Sequence, residues 1–217
     1  MDGLLIVDKP RGVSSFNVIR DVRKKYGIRA VGHIGTLDPE ASGGLPILVG
    51  KATKLSDLLM LHDKDYIAEI TLGIKTDSGD IEGNMIERDD SNHNYDKNQI
   101  LTVLNSFKGH SKQIPPMYSA IKIDGKKLYE LARKGESVER EARDIFIENI
   151  ELLDFDGKVI KYKVTCSKGT YIRVLSEDIA EKLGTVGFMS SLRRTRVGNF
   201  KIEDAGKFIK IEDILDV

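Results

Sequence analysis

The means for chemistry are concentrated in the run Gly32-His33-Ile34-Gly35-Thr36-Leu37-Asp38-Pro39-Glu40-Ala41-Ser42-Gly43-Gly44-Leu45-Pro46. Four glycines and two prolines in these fifteen residues prescribe an irregular backbone just before an apolar strand. Pro39 pushes Asp38 out of the helical region, and glycines supply conformations that a side chain would oppose. A carboxylate held in one orientation in this way is presented for chemistry. The competing reading is that Asp38-Pro39 only initiates a turn. A second run, Cys166-Ser167-Lys168-Gly169-Thr170-Tyr171-Ile172-Arg173, ends an alternating strand at Gly169 and then offers an aromatic ring and a guanidinium two residues apart. Arg173 can grip a carboxylate with two parallel hydrogen bonds and hold it ionised. Taken alone, the pair also fits a core aromatic followed by a surface charge.

Other chemistries are excluded by spacing. Gly44 and Gly50 are separated by five residues where the motif needs four, and Lys51 is followed by Ala52, so no phosphate-cradling loop is formed. His33, His62, His93 and His110 are too scattered for a two-histidine helix motif, and the single Cys166 cannot build a thiolate cage, so no transition metal is implied. Ser78, Asp80, Glu82 and Gly83 resemble part of a calcium loop, but Ser78 stands where its first aspartate belongs and Asp89 where its bidentate glutamate belongs. That stretch reads as a turn. No Gly-x-Ser-x-Gly elbow occurs.

The elements that must position these residues are interleaved strands and helices. Leu4-Leu5-Ile6-Val7 reads as a buried strand halted by Lys9-Pro10-Arg11-Gly12, after which Ser14 or Ser15 caps a helix running to Tyr26 with Val18, Val22 and Tyr26 as its apolar face. Arg20, Arg23, Lys24 and Lys25 on its other sides read as a solvated face. Tyr66, Ala68, Ile70 and Leu72 alternate with Ile67, Glu69 and Thr71, and Ile160, Tyr162, Val164 and Cys166 repeat the pattern. Asp156-Gly157 and Asp124-Gly125 signal hairpin turns. Helices are predicted over 52–61, 96–107, 128–134 and 174–183, the last stopped by Gly184. The window 77–98, rich in Asp, Asn, Gly and Ser, is the most loop-like. Without a strict βαβ repeat, the fold class expected is α+β, around a mixed, mostly antiparallel sheet.

At about 150 residues per domain, 217 residues make one large domain or two small ones, and nothing marks a linker, so one continuous core is expected. The 34 basic residues balance the 34 acidic ones, which leaves no net field to draw the chain to polyanions. Nucleic-acid affinity must then come from a local patch. Apolar runs such as Leu4 to Val7 and Leu45 to Val49 fall far short of the ~20 residues that a membrane helix needs. Met1-Asp2-Gly3 opens without the basic and apolar regions of a secretory signal, and one cysteine forms no internal disulfide, so a cytoplasmic location is expected.

At these residues the sequence resembles the TruB-type tRNA pseudouridine synthases, the family that isomerises uridine 55 in the T-loop of transfer RNA. Lys9-Pro10-x-Gly12-x-Ser14-Ser15 resembles the first family motif, and Gly32-His33 through Leu45-Pro46 the motif that carries the nucleophilic aspartate. Tyr66 through Leu72-Gly73, Thr76-Asp77-Ser78-Gly79-Asp80, Pro115-Pro116-Met117-Tyr118-Ser119-Ala120-Ile121-Lys122, Ser167 through Arg173, and Leu192-Arg193-Arg194-Thr195 follow in family order.

The resemblance implies a pseudouridine synthase fold in a single domain over 1–217, with a thumb-like insertion at about 114–143. It implies that Asp38 is the nucleophile, that Tyr66 packs on the target base and that Arg173 pairs with Asp38. His33, Tyr171 and Leu192 would complete the RNA and base contacts, with Lys9, Asp80 and Lys122 among the RNA-binding positions. A base must leave the stack before an aspartate can reach it, so an aromatic face and an apolar wall suit the task. No cofactor and no metal is expected. The partner would be the T-arm stem-loop of transfer RNA, with no membrane and no obligatory protein partner, and the chain would act as a monomer. Many bacterial members continue into a small C-terminal RNA-binding domain, which is expected to be missing here because the sequence stops at Val217. Lys9, Arg11, Arg20, Arg23, Lys122, Lys126, Lys127, Arg193, Arg194 and Arg196 are expected to share an RNA-facing surface. The alternatives are a guide-RNA-dependent pseudouridine synthase and a non-catalytic RNA-folding module.

Overall fold

The computed structural model describes residues 1–119, 121–123 and 125–214. The chain opens with β1 (Gly3–Lys9) and α1 (Ser15–Tyr26), whose N-terminus is capped by the Ser14 side chain accepting from the Asn17 amide and whose C-terminus stops at a left-handed Gly27. Next come β2 (Val31–His33), β3 (Ser42–Val49), a 3-10 stretch over Gly50–Leu55 leading into the single turn α2 (Ser56–Leu59), and β4 (Lys64–Leu72). The hairpin β5 (Ile74–Thr76) and β6 (Met85–Arg88) precedes α3 (Lys97–Asn105), which begins at a reciprocal cap between Asp96 and Gln99. β7 (Gly109–Gln113), the small hairpin β8 (Lys122–Ile123) and β9 (Lys126–Lys127), α4 (Leu128–Ala132) and β10 (Arg143–Phe155) follow. β11 (Val159–Cys166), α5 (Ile172–Lys182), β12 (Gly187–Val197), β13 (Phe200–Lys201), β14 (Phe208–Lys210) and α6 (Ile211–Ile214) complete the order.

Two compact units are formed, one from Met1–Ile67, Lys163–Lys168 and Ser191–Val217, the other from Ala68–Tyr162 and Gly169–Ser190. Strands β4, β11 and β12 contribute residues to both. In the first unit the strand order is β14-β1-β3-β12-β4-β11, with β2 on β3 and β13 on β12. β1 and β3 are antiparallel over their whole length, from Gly3 opposite Val49 to Lys9 opposite Gly43, whereas β12 meets β3 in parallel, with Arg194 opposite Gly43. The core joins Leu4, Ile6, Ile34, Leu48, Leu59, Val197 and Phe200. In the second unit the order is β12-β4-β11-β10-β7, and the buried residues include Ile70, Ile100, Leu104, Ile147, Tyr162 and Ile179. The architecture is α+β with a mixed, mostly antiparallel sheet, as expected.

Some expectations are corrected. Val18 and Val22 of α1 are buried as expected, together with Ser15 and Ile19, but Tyr26 is exposed. The helix expected over 52–61 is divided, 3-10 up to Leu55 and α-helical over Ser56–Leu59, and the Thr53 hydroxyl is bonded back to the Gly50 carbonyl. The loop window 77–98 contains β6, whose four residues are all exposed and so show no alternation. The strand ahead of Tyr171 ends at Cys166 rather than Gly169. At the expected Asp124-Gly125 turn, Asp124 lies outside the described residues, while Gly125 has the positive φ of 80° that such a turn requires.

Candidate active site

In the first unit, the backbone around Asp38 is clamped on both sides. The buried Ser15 hydroxyl donates to the Leu37 carbonyl at 2.9 Å and accepts from the Leu37 amide at 3.0 Å. On the other flank, the Pro39 carbonyl accepts from the Gly12 amide at 2.9 Å and from Lys9 Nζ at 3.1 Å. The Asp38 carbonyl accepts from the Ala41 amide. The segment between β1 and α1 therefore holds the half-buried Asp38 through its neighbours, which is why the first sequence motif matters to the second. Lys9 is fully buried, and its ammonium also donates to the Pro10 and Val13 carbonyls. The surface role expected for Lys9 is corrected to a buried support of this loop, since an ammonium enclosed by three carbonyls is not presented to a phosphate.

Tyr66 and Leu192 are buried on β4 and β12. Burial pushes the Tyr66 phenol up to about 12, against a hydrogen bond and positive charge from Arg194. His33 is half-buried at the end of β2, and burial, followed by the Arg194 charge, lowers its imidazole below the ordinary value, so it is neutral at pH 7. Its Nδ1 has no hydrogen-bond partner among the described residues. Lys64, also buried, donates to the Met60 and His62 carbonyls and is pushed down to about 8 by burial and by Arg194.

In the second unit, Arg173 lies in the first turn of α5, where the helix dipole disfavours a cation. Its guanidinium donates to the Ser78 carbonyl at 3.2 Å and the Tyr118 carbonyl at 2.6 Å, and stands 3.4 Å from the Asp80 carboxylate. Asp80 is in turn held by the Ser78 hydroxyl at 2.6 Å and the Glu82 amide at 3.1 Å. Tyr171 is the N-cap of α5, and Gln113 locks its backbone by donating to the Tyr171 carbonyl and accepting from the Tyr171 amide. Lys122 is exposed on the β8 and β9 hairpin.

Sequence reasoning missed Ser15, Lys64, Gln113 and the depth of Arg194. Arg194, grouped with the surface cations, is 1 % exposed. The available signal was its two-residue spacing from Leu192, which puts both on one face of a strand. Three other members of the expected basic surface are engaged by carboxylates: Arg193 by Asp8, Arg196 by Asp65 and Arg11 by Glu40. Among the described residues no group of three or more His, Cys, Asp or Glu is gathered for a metal ion, and no helix is long and apolar enough to cross a membrane.

Solved structures share the fold over nearly the whole chain. A Cbf5-Nop10-Gar1 complex matches with a TM-score of 0.73 and 31% identity over 99% of this chain, and an H/ACA RNP bound to a substrate RNA containing 2'-deoxyuridine with 0.69 and 28%. The chain spans about half the length of those solved chains, 54% and 52%. The model described as TruB family pseudouridylate synthase (N terminal domain) matches residues 23–172, and that described as tRNA pseudouridylate synthase B C-terminal domain matches residues 173–217. The chain belongs to the TruB family of pseudouridylate synthases. Among its relatives, a tRNA pseudouridine synthase B of Clostridium tetani is 49% identical over 99% of this chain and 73% of its own length. Another of Bacillus subtilis is 47% identical over 98% and 70%.

Proposed function

We propose that this protein isomerises uridine to pseudouridine at position 55 in the T-loop of transfer RNA. The observation that carries the reading is the clamped loop, in which Ser15, Gly12 and Lys9 fix both neighbours of Asp38. A fixed carboxylate suits a nucleophile, because detaching a base, turning it and rejoining it through carbon needs a covalent or tightly held intermediate. The target base leaves the stack, Tyr66 packs on it, and Leu192 walls the pocket. Arg173 pairs with Asp38, and His33 and Tyr171 complete the RNA contacts. The chain acts as a single catalytic domain over 1–217, with a thumb at about 114–143 that closes on the RNA. The names of the relatives at 47–49% identity support transfer RNA as substrate. Release of tritium from 5-tritiated uridine in a T-arm hairpin tests the proposal, since isomerisation frees that hydrogen and binding alone does not. Retention of all tritium by folded, RNA-bound protein would leave only an RNA-folding role.

A guide-RNA-dependent reading is favoured by one observation, the match to an H/ACA RNP structure. Tritium release with the hairpin as the sole RNA defeats it.

A further inference from the structure

We propose that Arg194 is a positioning residue for the reaction: it staples the two ends of the loop that carries Asp38 to the strand that carries Leu192, and so sets the nucleophile against the wall of the base pocket. This rests on the proposed isomerisation. Ser15, Gly12 and Lys9 hold the tip of that loop, at Leu37 and Pro39. Arg194, reaching inward from β12, holds its base. Its Nε donates to the Gly44 carbonyl at 2.8 Å and its Nη2 to the Gly35 carbonyl at 2.9 Å. Gly35 stands three residues before Asp38 and Gly44 six after it, so a single planar guanidinium closes the loop.

Space filling does not account for this side chain. Arg194 is the largest fully buried residue described, and among the described residues no carboxylate is ion-paired with it. A methionine would occupy much the same space without the cost of taking a charge out of water. What methionine lacks is a pair of donors on one rigid edge. The backbone of β12 adds a second tie, since it runs parallel to β3 with Arg193 opposite Ser42 and Arg194 opposite Gly43. Leu192 lies two residues before Arg194 on the same buried face of β12. Nucleophile loop and apolar wall are thus referred to one residue, and a shift of about 1 Å in a reacting group is enough to slow a reaction about 10²-fold.

The glycines at both ends of the loop fit this arrangement. Gly35 has φ 75°, and a Cβ there would stand 3.2 Å from Arg194 Nη1 and 3.5 Å from Lys64 Cε. At Gly43, φ is 106° and a Cβ would overlap the Arg194 backbone carbonyl. A side chain at either end would push the loop off the strand to which Arg194 fastens it.

The test combines Arg194→Lys and Gly35→Ala, singly and together, in single-turnover isomerisation of a T-arm hairpin. Arg194→Lys keeps the charge but puts one nitrogen in place of two donors fixed on an edge, and is expected to slow the reaction about tenfold or more while hairpin affinity changes less than about threefold. Gly35→Ala, whose methyl meets Nη1, is expected to slow it by a similar factor. The double variant should be less than about twofold slower than the slower single, because both changes break the same staple. A full rate in Arg194→Lys would show that charge alone suffices, and costs that multiply would make the two sites independent. Affinity lost in step with rate would make Arg194 a support for RNA binding. Each of these three results overturns the proposal. A second measurement needs no variant: in the RNA-free protein and in its complex with the hairpin, Arg194 Nε should show a scalar coupling through the hydrogen bond to the Gly44 carbonyl carbon, with slow proton exchange. No coupling, or fast exchange in the complex, would also overturn it. Turnover by Asp38→Asn would instead sink the isomerisation reading while leaving the hydrogen-bond measurement intact.

Discussion

The first unit and the second solve the burial of a cation in different ways. In the first, Lys9, Lys64 and Arg194 are enclosed by backbone carbonyls: Pro10, Val13 and Pro39 for Lys9, Met60 and His62 for Lys64, Gly35 and Gly44 for Arg194. In the second, Arg173 also takes two carbonyls, but it adds the buried carboxylate of Asp80. Carbonyl dipoles satisfy hydrogen bonds without cancelling charge, whereas a carboxylate cancels it. The first unit therefore keeps a positive interior around the loop of Asp38. A second carboxylate there would oppose ionisation of any carboxylate nearby. The second unit gives up that field for a fixed guanidinium.

The sharpest test of this contrast removes the carboxylate presented by the clamped loop of the first unit. Asp38→Asn is expected to abolish isomerisation while leaving hairpin binding within about tenfold, or ~1.4 kcal/mol; measurable multiple turnover by the verified variant would defeat the assignment. Next in size, Asp80→Asn removes the buried carboxylate that stands 3.4 Å from Arg173 and is expected to cost ~3 kcal/mol of folding stability. Urea unfolding reads it, and a loss under ~1 kcal/mol would mean that the carbonyls suffice in the second unit too.

Lys9→Met removes a donor from three carbonyls, of which Pro39 keeps the Gly12 amide, but also removes a buried charge, so a smaller loss of ~2 kcal/mol is expected. A stability gain would show that the ammonium is retained for function alone. The pH dependence of Lys64 follows from its value of about 8 against 10.5 in an unfolded chain. Between those values the unfolded state binds the additional proton, so stability rises with pH across that window. The wild-type protein should gain on Lys64→Met from pH 8 to pH 10; a constant difference would place the ammonium in a wetter setting than its burial implies.

The smallest effect is electrostatic. Arg11, Arg193 and Arg196 already engage Glu40, Asp8 and Asp65, and Lys9 and Arg194 are buried, so about three to six phosphate contacts are expected, at about −0.9 in log-log slope for each. A slope steeper than about −8 in a salt titration of hairpin binding would show that these ion pairs open on the RNA.

What was legible in the sequence divides along similar lines. Local signals gave α1 a cap at Ser14 or Ser15 and an end at Tyr26, α3 its start at Asp96, and β4 and β11 their two-residue alternation. Asp38 stood out because a glycine-rich, proline-fixed backbone is itself a sequence property. Its supports did not, since Ser15 acts across 22 residues and Lys9 across 30, and no local pattern encodes such a contact. Arg194 was hidden by composition: Arg193, Arg194 and Arg196 look alike in the sequence, yet two are spent on carboxylates and one is buried. β6 and β7, largely polar and exposed, gave periodicity nothing to detect.

The return of β12 to the loop of Asp38 also sets a timetable. Arg194 bonds a carbonyl that lies 150 residues earlier in the chain. At about 5 to 20 residues per second, a ribosome takes roughly eight to thirty seconds to travel from Gly44 to Arg194. Over that interval the nascent chain already carries its aspartate but not the arginine for which the surrounding glycines make room. A stalled or truncated product ending before β12 would thus be born without the finished site, so incomplete translation products of this protein should be inert toward RNA.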